Sequence, residues 1–118
     1  MPTLLAPKAD VVAFLRTFHD KLGVYSVIYE HRPKNTQLLL DLGLTPAART
    51  HHLKALTPAH YSHGPLPPAD PLNSPLWVFG MPLAGQEIYI KITIGRPGKS
   101  VICISFHVAE HPLTYPYR

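Results

Sequence analysis

With 118 residues, 46% of them hydrophobic and 15% charged, the chain is long enough for one domain around one core, too short for two ordinary domains and too apolar for wholesale disorder. A lone cysteine, Cys103, excludes an internal disulfide and a Cys-based zinc module, no run approaches the length of a membrane span, and Met1–Pro7 lacks the charged start and apolar run of a signal peptide, so a reducing, cytoplasmic setting is expected. The net charge of +4 sits mostly in the C-terminal part, where Arg49, Lys54, Lys91, Arg96, Lys99 and Arg118 outnumber Asp70, Glu87 and Glu110, a balance suited to an anionic partner such as RNA.

Residues 9–22 read as an amphipathic helix, with Val11, Phe14, Leu15, Phe18 and Leu22 on one face and Gly23 at the end. The β-branched and aromatic run Val24–Tyr29 predicts a short strand, ended by Arg32-Pro33. Thr36–Leu42 predicts a short helix closed by Gly43. Thr45-Pro46 then opens another helix to about Leu56, with Thr as cap and Pro in the first turn, and Thr57-Pro58 repeats the signal for one more turn. Between Pro58 and Pro75 the proline density predicts a stiff, irregular connection and a candidate binding loop. No internal repeat is present. The last third reads as β: Leu76–Phe79, then Gln86–Ile94, then Ser100–Val108. The whole is expected to be one α+β domain over residues 1–118, with N-terminal helices packed on a C-terminal antiparallel sheet.

The second and third of these strands set a register. Ile88, Ile90, Ile92 and Ile94 alternate with Glu87, Tyr89, Lys91 and Thr93, while Ile102, Ile104 and Phe106 alternate with Cys103, Ser105 and His107. A two-residue loop at Pro97-Gly98 would put Tyr89 opposite Phe106 and mix polar with apolar faces. A three-residue loop, or an equivalent bulge, pairs Ile90 with Phe106 and Ile92 with Ile104, and is favoured because it keeps the apolar faces together. Tyr89 then lies opposite His107 and Lys91 opposite Ser105, with paired Cβ atoms about 4.5–5.5 Å apart.

A phenol, an imidazole and an ammonium on one sheet face point to metal-free phosphodiester cleavage. That chemistry needs a base for the RNA 2′-hydroxyl, cations for the phosphorane-like transition state and an acid for the departing 5′-oxygen. Histidine suits either proton transfer, lysine supplies a compact charge, and tyrosine donates or, next to cations, accepts a proton. Surface packing of a cross-strand Tyr–His pair is the competing reading. The spacings His60-x-x-His63 and His107-x-x-x-His111 lack a completing acidic or cysteine ligand, so no metal site and no cofactor is expected. Parity puts Cys103 on the Tyr89 side, as a packed side chain rather than a nucleophile. Trp77 reads as core, and Tyr115, Tyr117 and Arg118 as an aromatic-basic tail that either touches RNA, docks on the sheet or frays.

The run Leu76-Trp77, Gly85-Gln86-Glu87-Ile88-Tyr89-Ile90-Lys91-Ile92-Thr93 and Ile102–Phe106 resembles the C-terminal half of MqsR-type toxins, the motility quorum-sensing regulator family of bacterial type II toxin–antitoxin systems. Upstream, Leu38–Leu44 and Leu56–Tyr61 resemble the family's leucine-rich and Leu-Ser-x-x-Asp-Phe-Tyr segments, so the likeness spans roughly residues 25–108. The resemblance implies a RelE-like α+β fold, an mRNA interferase activity and a cognate antitoxin partner of the helix-turn-helix kind. The family's catalytic tyrosine falls on Tyr89, and its lysine after Ser-Phe falls on His107. Its lysine after the tyrosine at position 61 falls on Ser62, and its glutamine after the tryptophan falls on Val78. His63, next to Ser62, stands where an acid or cation is otherwise missing.

The expectation is therefore a metal-independent endoribonuclease toxin. Tyr89 and His107 form the acid–base pair, with the roles unassigned, and Lys91 is the phosphate cation. His63 and Tyr61 contribute, and Lys91, Arg96, Lys99 and Arg118 hold RNA. The alternative is a non-catalytic RNA- or protein-binding module of the same fold.

Overall fold

The structure, a computed structural model, describes residues 5–118, so the first four residues read above for a leader lie outside the described residues. Its elements are α1 (Lys8–Val24), β1 (Ile28–Tyr29), α2 (Pro33–Leu42), α3 (Ala48–Lys54), β2 (Tyr61–Leu66), β3 (Leu76–Leu83), β4 (Gln86–Thr93) and β5 (Ile102–Val108), with one 3-10 turn at Pro58–His60. Helices come first and most strands last, as the α+β reading expects. The sheet departs from a pure antiparallel meander. Its order is β1-β5-β4-β3-β2, and β1 joins β5 in parallel through Ile28↔Ile102 and Tyr29↔Cys103.

In α1, Val11, Phe14, Leu15, Phe18 and Leu22 form the buried stripe that their spacing dictates, while Asp10 in the first turn and Lys21 in the last suit the helix dipole. Phe14 stacks on Trp77 at 4.5 Å and lies 6.0 Å from Phe79, so α1 covers the sheet's inner face and the half-buried Trp77 packs against the core. The helix continues past Gly23 to Val24, and the Tyr25 N–H closes it on the Lys21 carbonyl at 2.7 Å. This leaves only Ile28–Tyr29 of the expected Val24–Tyr29 strand. Ile88, Ile90 and Ile92 are fully buried beneath the helix with Phe79 and Phe106, each such side chain contributing about 1.5–3 kcal/mol by leaving water.

The proline-rich stretch is not wholly irregular. Its first part forms β2, an edge strand paired with β3 in a broken register, Tyr61↔Phe79, His63↔Val78 and Leu66↔Leu76. Tyr61 fastens it. The ring is fully buried, its hydroxyl donates to the Gly64 carbonyl at 2.6 Å and accepts from the Ala6 N–H at 2.8 Å. An edge position tolerates Pro65, which has no N–H to give a ladder. Gly64 takes a φ of +112°, and a Cβ there would meet the Leu76 carbonyl oxygen at 3.0 Å, so glycine is required.

Pairing of β4 with β5 puts Tyr89 opposite His107, Ile90 opposite Phe106 and Lys91 opposite Ser105, as expected. Ile92, however, pairs with Cys103 rather than Ile104, because a bulge interrupts the ladder between Lys91 and Ile92. The extra residue reverses the parity of Cys103. Its thiol turns into the core, away from the Tyr89 face, and burial pushes its pKa up to about 12.

The C-terminal segment docks on the outer face of β3 and β4. The Glu87 carboxylate accepts from the Leu113 N–H at 3.0 Å and from the Tyr115 hydroxyl at 2.8 Å. Burial, together with that bond to Glu87, raises the Tyr115 phenol to about 12. Tyr117 stacks on Tyr61 at 5.7 Å. Gly80 makes room for this segment, since a Cβ there would fall 2.5 Å from Leu113 Cδ1 and against the Tyr115 hydroxyl. Gly80→Ala is therefore expected to lift the segment and speed amide exchange at Leu113 by at least tenfold in NMR measurements, while exchange in α1 stays unchanged.

Candidate active site

The outer face of β4 and β5 is the floor of a groove of about 810 Å³, within the size range of small-ligand sites. Strand alternation places Tyr89 and Lys91 of β4 and Ser105 and His107 of β5 on this floor. His63 of β2 joins from the next strands across, since it pairs with Val78, which pairs with Lys91. The start of α2, with Arg32 and Lys34, forms one wall, and Glu110 to Leu113 of the C-terminal segment form the other.

Asn35 fixes that first wall. It is buried in the first turn of α2, donates to the carbonyls of Ile104 at 3.1 Å and Glu30 at 3.2 Å, and accepts from the Phe106 N–H at 2.9 Å. It thus finishes the exposed edge of β5 where β1 stops, a covering that an edge strand needs.

Tyr89 and His107 stack with centroids 5.3 Å apart and planes 17° from parallel. His107 Nδ1 lies 2.9 Å from the Val108 carbonyl, which only accepts, so Nδ1 carries the hydrogen and Nε2 of the neutral ring keeps a free lone pair. Burial raises the Tyr89 pKa above its ordinary value, which keeps the phenol protonated at neutral pH. Burial first, then the nearby Lys91 charge, lowers the His63 pKa and favours its neutral form; His63 Nδ1 is 3.1 Å from Ser62 Oγ. Burial, then the Arg32 charge, lowers the Lys91 pKa, partly offset by Glu30.

Four of the residues singled out in the sequence, Tyr89, His107, Lys91 and His63, meet in this groove. Tyr61 does not: it is a core ring. Arg96 sits at the far end of the hairpin, bonded to Asn73 at 3.3 Å and 3.7 Å from Asp70. Lys99 lies in the turn that its N–H closes on Arg96, and Arg118 lies over the Tyr115 ring at 5.0 Å. None of these three cations lines the groove. Sequence reasoning missed Arg32, Lys34 and Ser105. For Ser105 the signal was present, because the register sets it opposite Lys91. Nothing local marks Arg32 and Lys34, which arrive through the long-range bonds of Asn35.

Among the described residues, no three His, Cys, Asp or Glu side chains cluster as a metal site, and no helix is long and apolar enough to cross a membrane. His60 instead closes the turn before β2, accepting from the Thr57 N–H at 3.0 Å. Comparison with protein-family models, curated proteins and solved structures gives no match for this chain.

Proposed function

We propose that this protein is an endoribonuclease that cleaves mRNA by 2′-hydroxyl attack without a metal ion, acting as an MqsR-type, RelE-like toxin in the cytoplasm under the control of a cognate antitoxin. The observation that carries the reading is the stacked Tyr89–His107 pair in a groove that also holds Lys91 and His63. The free Nε2 of His107 takes the 2′-hydroxyl proton as O2′ forms its bond to phosphorus. Lys91 stabilises the charge that builds on the non-bridging oxygens. The P–O5′ bond then breaks, and the leaving oxygen takes a proton from the Tyr89 hydroxyl. That transfer runs downhill, because a ribose alkoxide is far more basic than a phenolate. The products are a 2′,3′-cyclic phosphate and a 5′-hydroxyl. His63 holds its neutral form beside Lys91 and serves as a second proton acceptor.

One observation favours a second reading, a binding module that does not cut. Ser62 and Val78, at the positions where the family pattern carries a lysine and a glutamine, are both buried and lend no charge to the groove. Expression without a partner separates the two. A toxin stops growth within the first generations and the His107→Ala protein does not, whereas a binding module leaves growth unaffected in both cases.

A further inference from the structure

We infer that Glu110 is an internal competitor for RNA: its carboxylate sits on Lys34 across the groove, and an entering phosphodiester displaces it to reach that cation. The inference rests on the reading that the groove takes RNA, and it concerns how entry to the groove is regulated. The charges of the lining set the problem. Arg32, Lys34 and Lys91 line the groove with three histidines, and Glu110 is the only acid among the described lining residues. A carboxylate set among such cations takes the same charged donors that a phosphate would use.

A short arch carries Glu110. The Ala109 N–H donates to the Glu87 backbone carbonyl at 2.8 Å, and the Leu113 N–H donates to the Glu87 carboxylate at 3.0 Å. One residue of β4 thus fastens both ends, and the exposed Glu110, His111 and Pro112 span the gap without helix or strand. From this arch the Glu110 side chain reaches the opposite wall and bonds Lys34 of α2. That bond, then the Lys34 charge, holds the Glu110 carboxyl below its ordinary pKa, with smaller help from His107 and His111. The carboxylate is therefore charged at neutral pH, within electrostatic reach of the imidazole that the cleavage chemistry uses.

Release needs no movement of the backbone. The Lys34 and Glu110 side chains keep 61% and 57% of their surface in solvent, and an ion pair that exposed is weakly held. Rotation of one side chain frees the ammonium for a phosphodiester oxygen. The other two cations differ. Arg32 is paired with Glu30 at 2.8 Å, and Lys91 forms no ion pair among the described residues. A first phosphate can therefore meet Lys91 directly, whereas Lys34 is reached only once Glu110 lets go.

Isothermal titration with a 2′-O-methyl RNA tetranucleotide, which lacks the attacking hydroxyl, tests this on the full chain as wild type, Glu110→Gln, Lys34→Gln and the double variant. Competition through Lys34 predicts that Glu110→Gln tightens binding about threefold when Lys34 is present, and less than about 1.5-fold when it is already Gln. A salt concentration of about 0.15 M screens charges more than about 8 Å apart, so loss of a distant negative charge contributes little. Both side chains are exposed, and thermal melts establish that each variant is folded. Equal tightening in the two backgrounds overturns the inference, because it reports only a change in net charge. No tightening in either background, or no binding of the RNA to any of the four proteins, overturns it as well. Cleavage of ordinary RNA by the wild type, scored in parallel, judges the nuclease separately. Tightening that depends on Lys34, without any cleavage, upholds the competitor and overturns the nuclease; cleavage with equal affinities does the reverse.

Discussion

Replacing His107 with alanine is expected to slow RNA cleavage by about 10²–10⁴-fold, the ordinary contribution of one positioned proton-transfer group. The reason lies in a single bond. The Val108 carbonyl, 2.9 Å away, commits Nδ1 to donating and leaves Nε2 as the basic atom. Tyr89→Phe should cost a comparable factor while keeping the stacked ring, since only the hydroxyl is lost. The double variant should be little slower than the worse single one, because the two groups act on the same transition state. RNA affinity, measured with an uncleavable analogue, should change less than threefold in Tyr89→Phe. Single-turnover rates check all three, and a Tyr89→Phe protein as fast as wild type removes the phenol from the chemistry.

The second large effect concerns stability. Asn35→Ala deletes the side chain that satisfies the Ile104 carbonyl and the Phe106 N–H at the edge of β5. Each buried backbone group left unpaired costs about 1–3 kcal/mol, so a loss of about 3 kcal/mol is expected. In a domain of this size that corresponds to a fall in Tm of about 10 °C. Calorimetry reads it, and amide exchange at Phe106 should rise more than at Ile90, which is paired on both sides. A Tm shift under about 2 °C would mean that water replaces the asparagine without loss.

The legible part of this fold was the part governed by period-two burial. Ile88, Ile90 and Ile92 can only turn inward together, and that alone sets Tyr89 opposite His107. The α1 stripe was readable for the same reason at period 3.6. The less legible parts depend on contacts distant in the chain. β2 forms inside a proline-rich stretch because Tyr61 finds Ala6, fifty-five residues away. β1 is short because α1 runs on to Val24. The bulge that turned Cys103 inward left a polar alternation in the sequence that looked continuous, since Cys, Ser and His all suit an outward face. Only charge marks Arg96, Lys99 and Arg118 in the sequence, and charge does not say where a side chain lies; each sits away from the groove, Arg96 held by Asn73 and Asp70.

The central claim is that Tyr89 and His107 move the protons of a 2′-hydroxyl attack. The most direct measurement is end-group mapping of a defined single-stranded RNA after incubation with the purified chain in EDTA. The account predicts fragments with 2′,3′-cyclic phosphate and 5′-hydroxyl ends, formed at the same rate with or without the chelator and absent with His107→Ala. Cleavage that requires Mg²⁺, or fragments carrying 5′-phosphate ends, would contradict it.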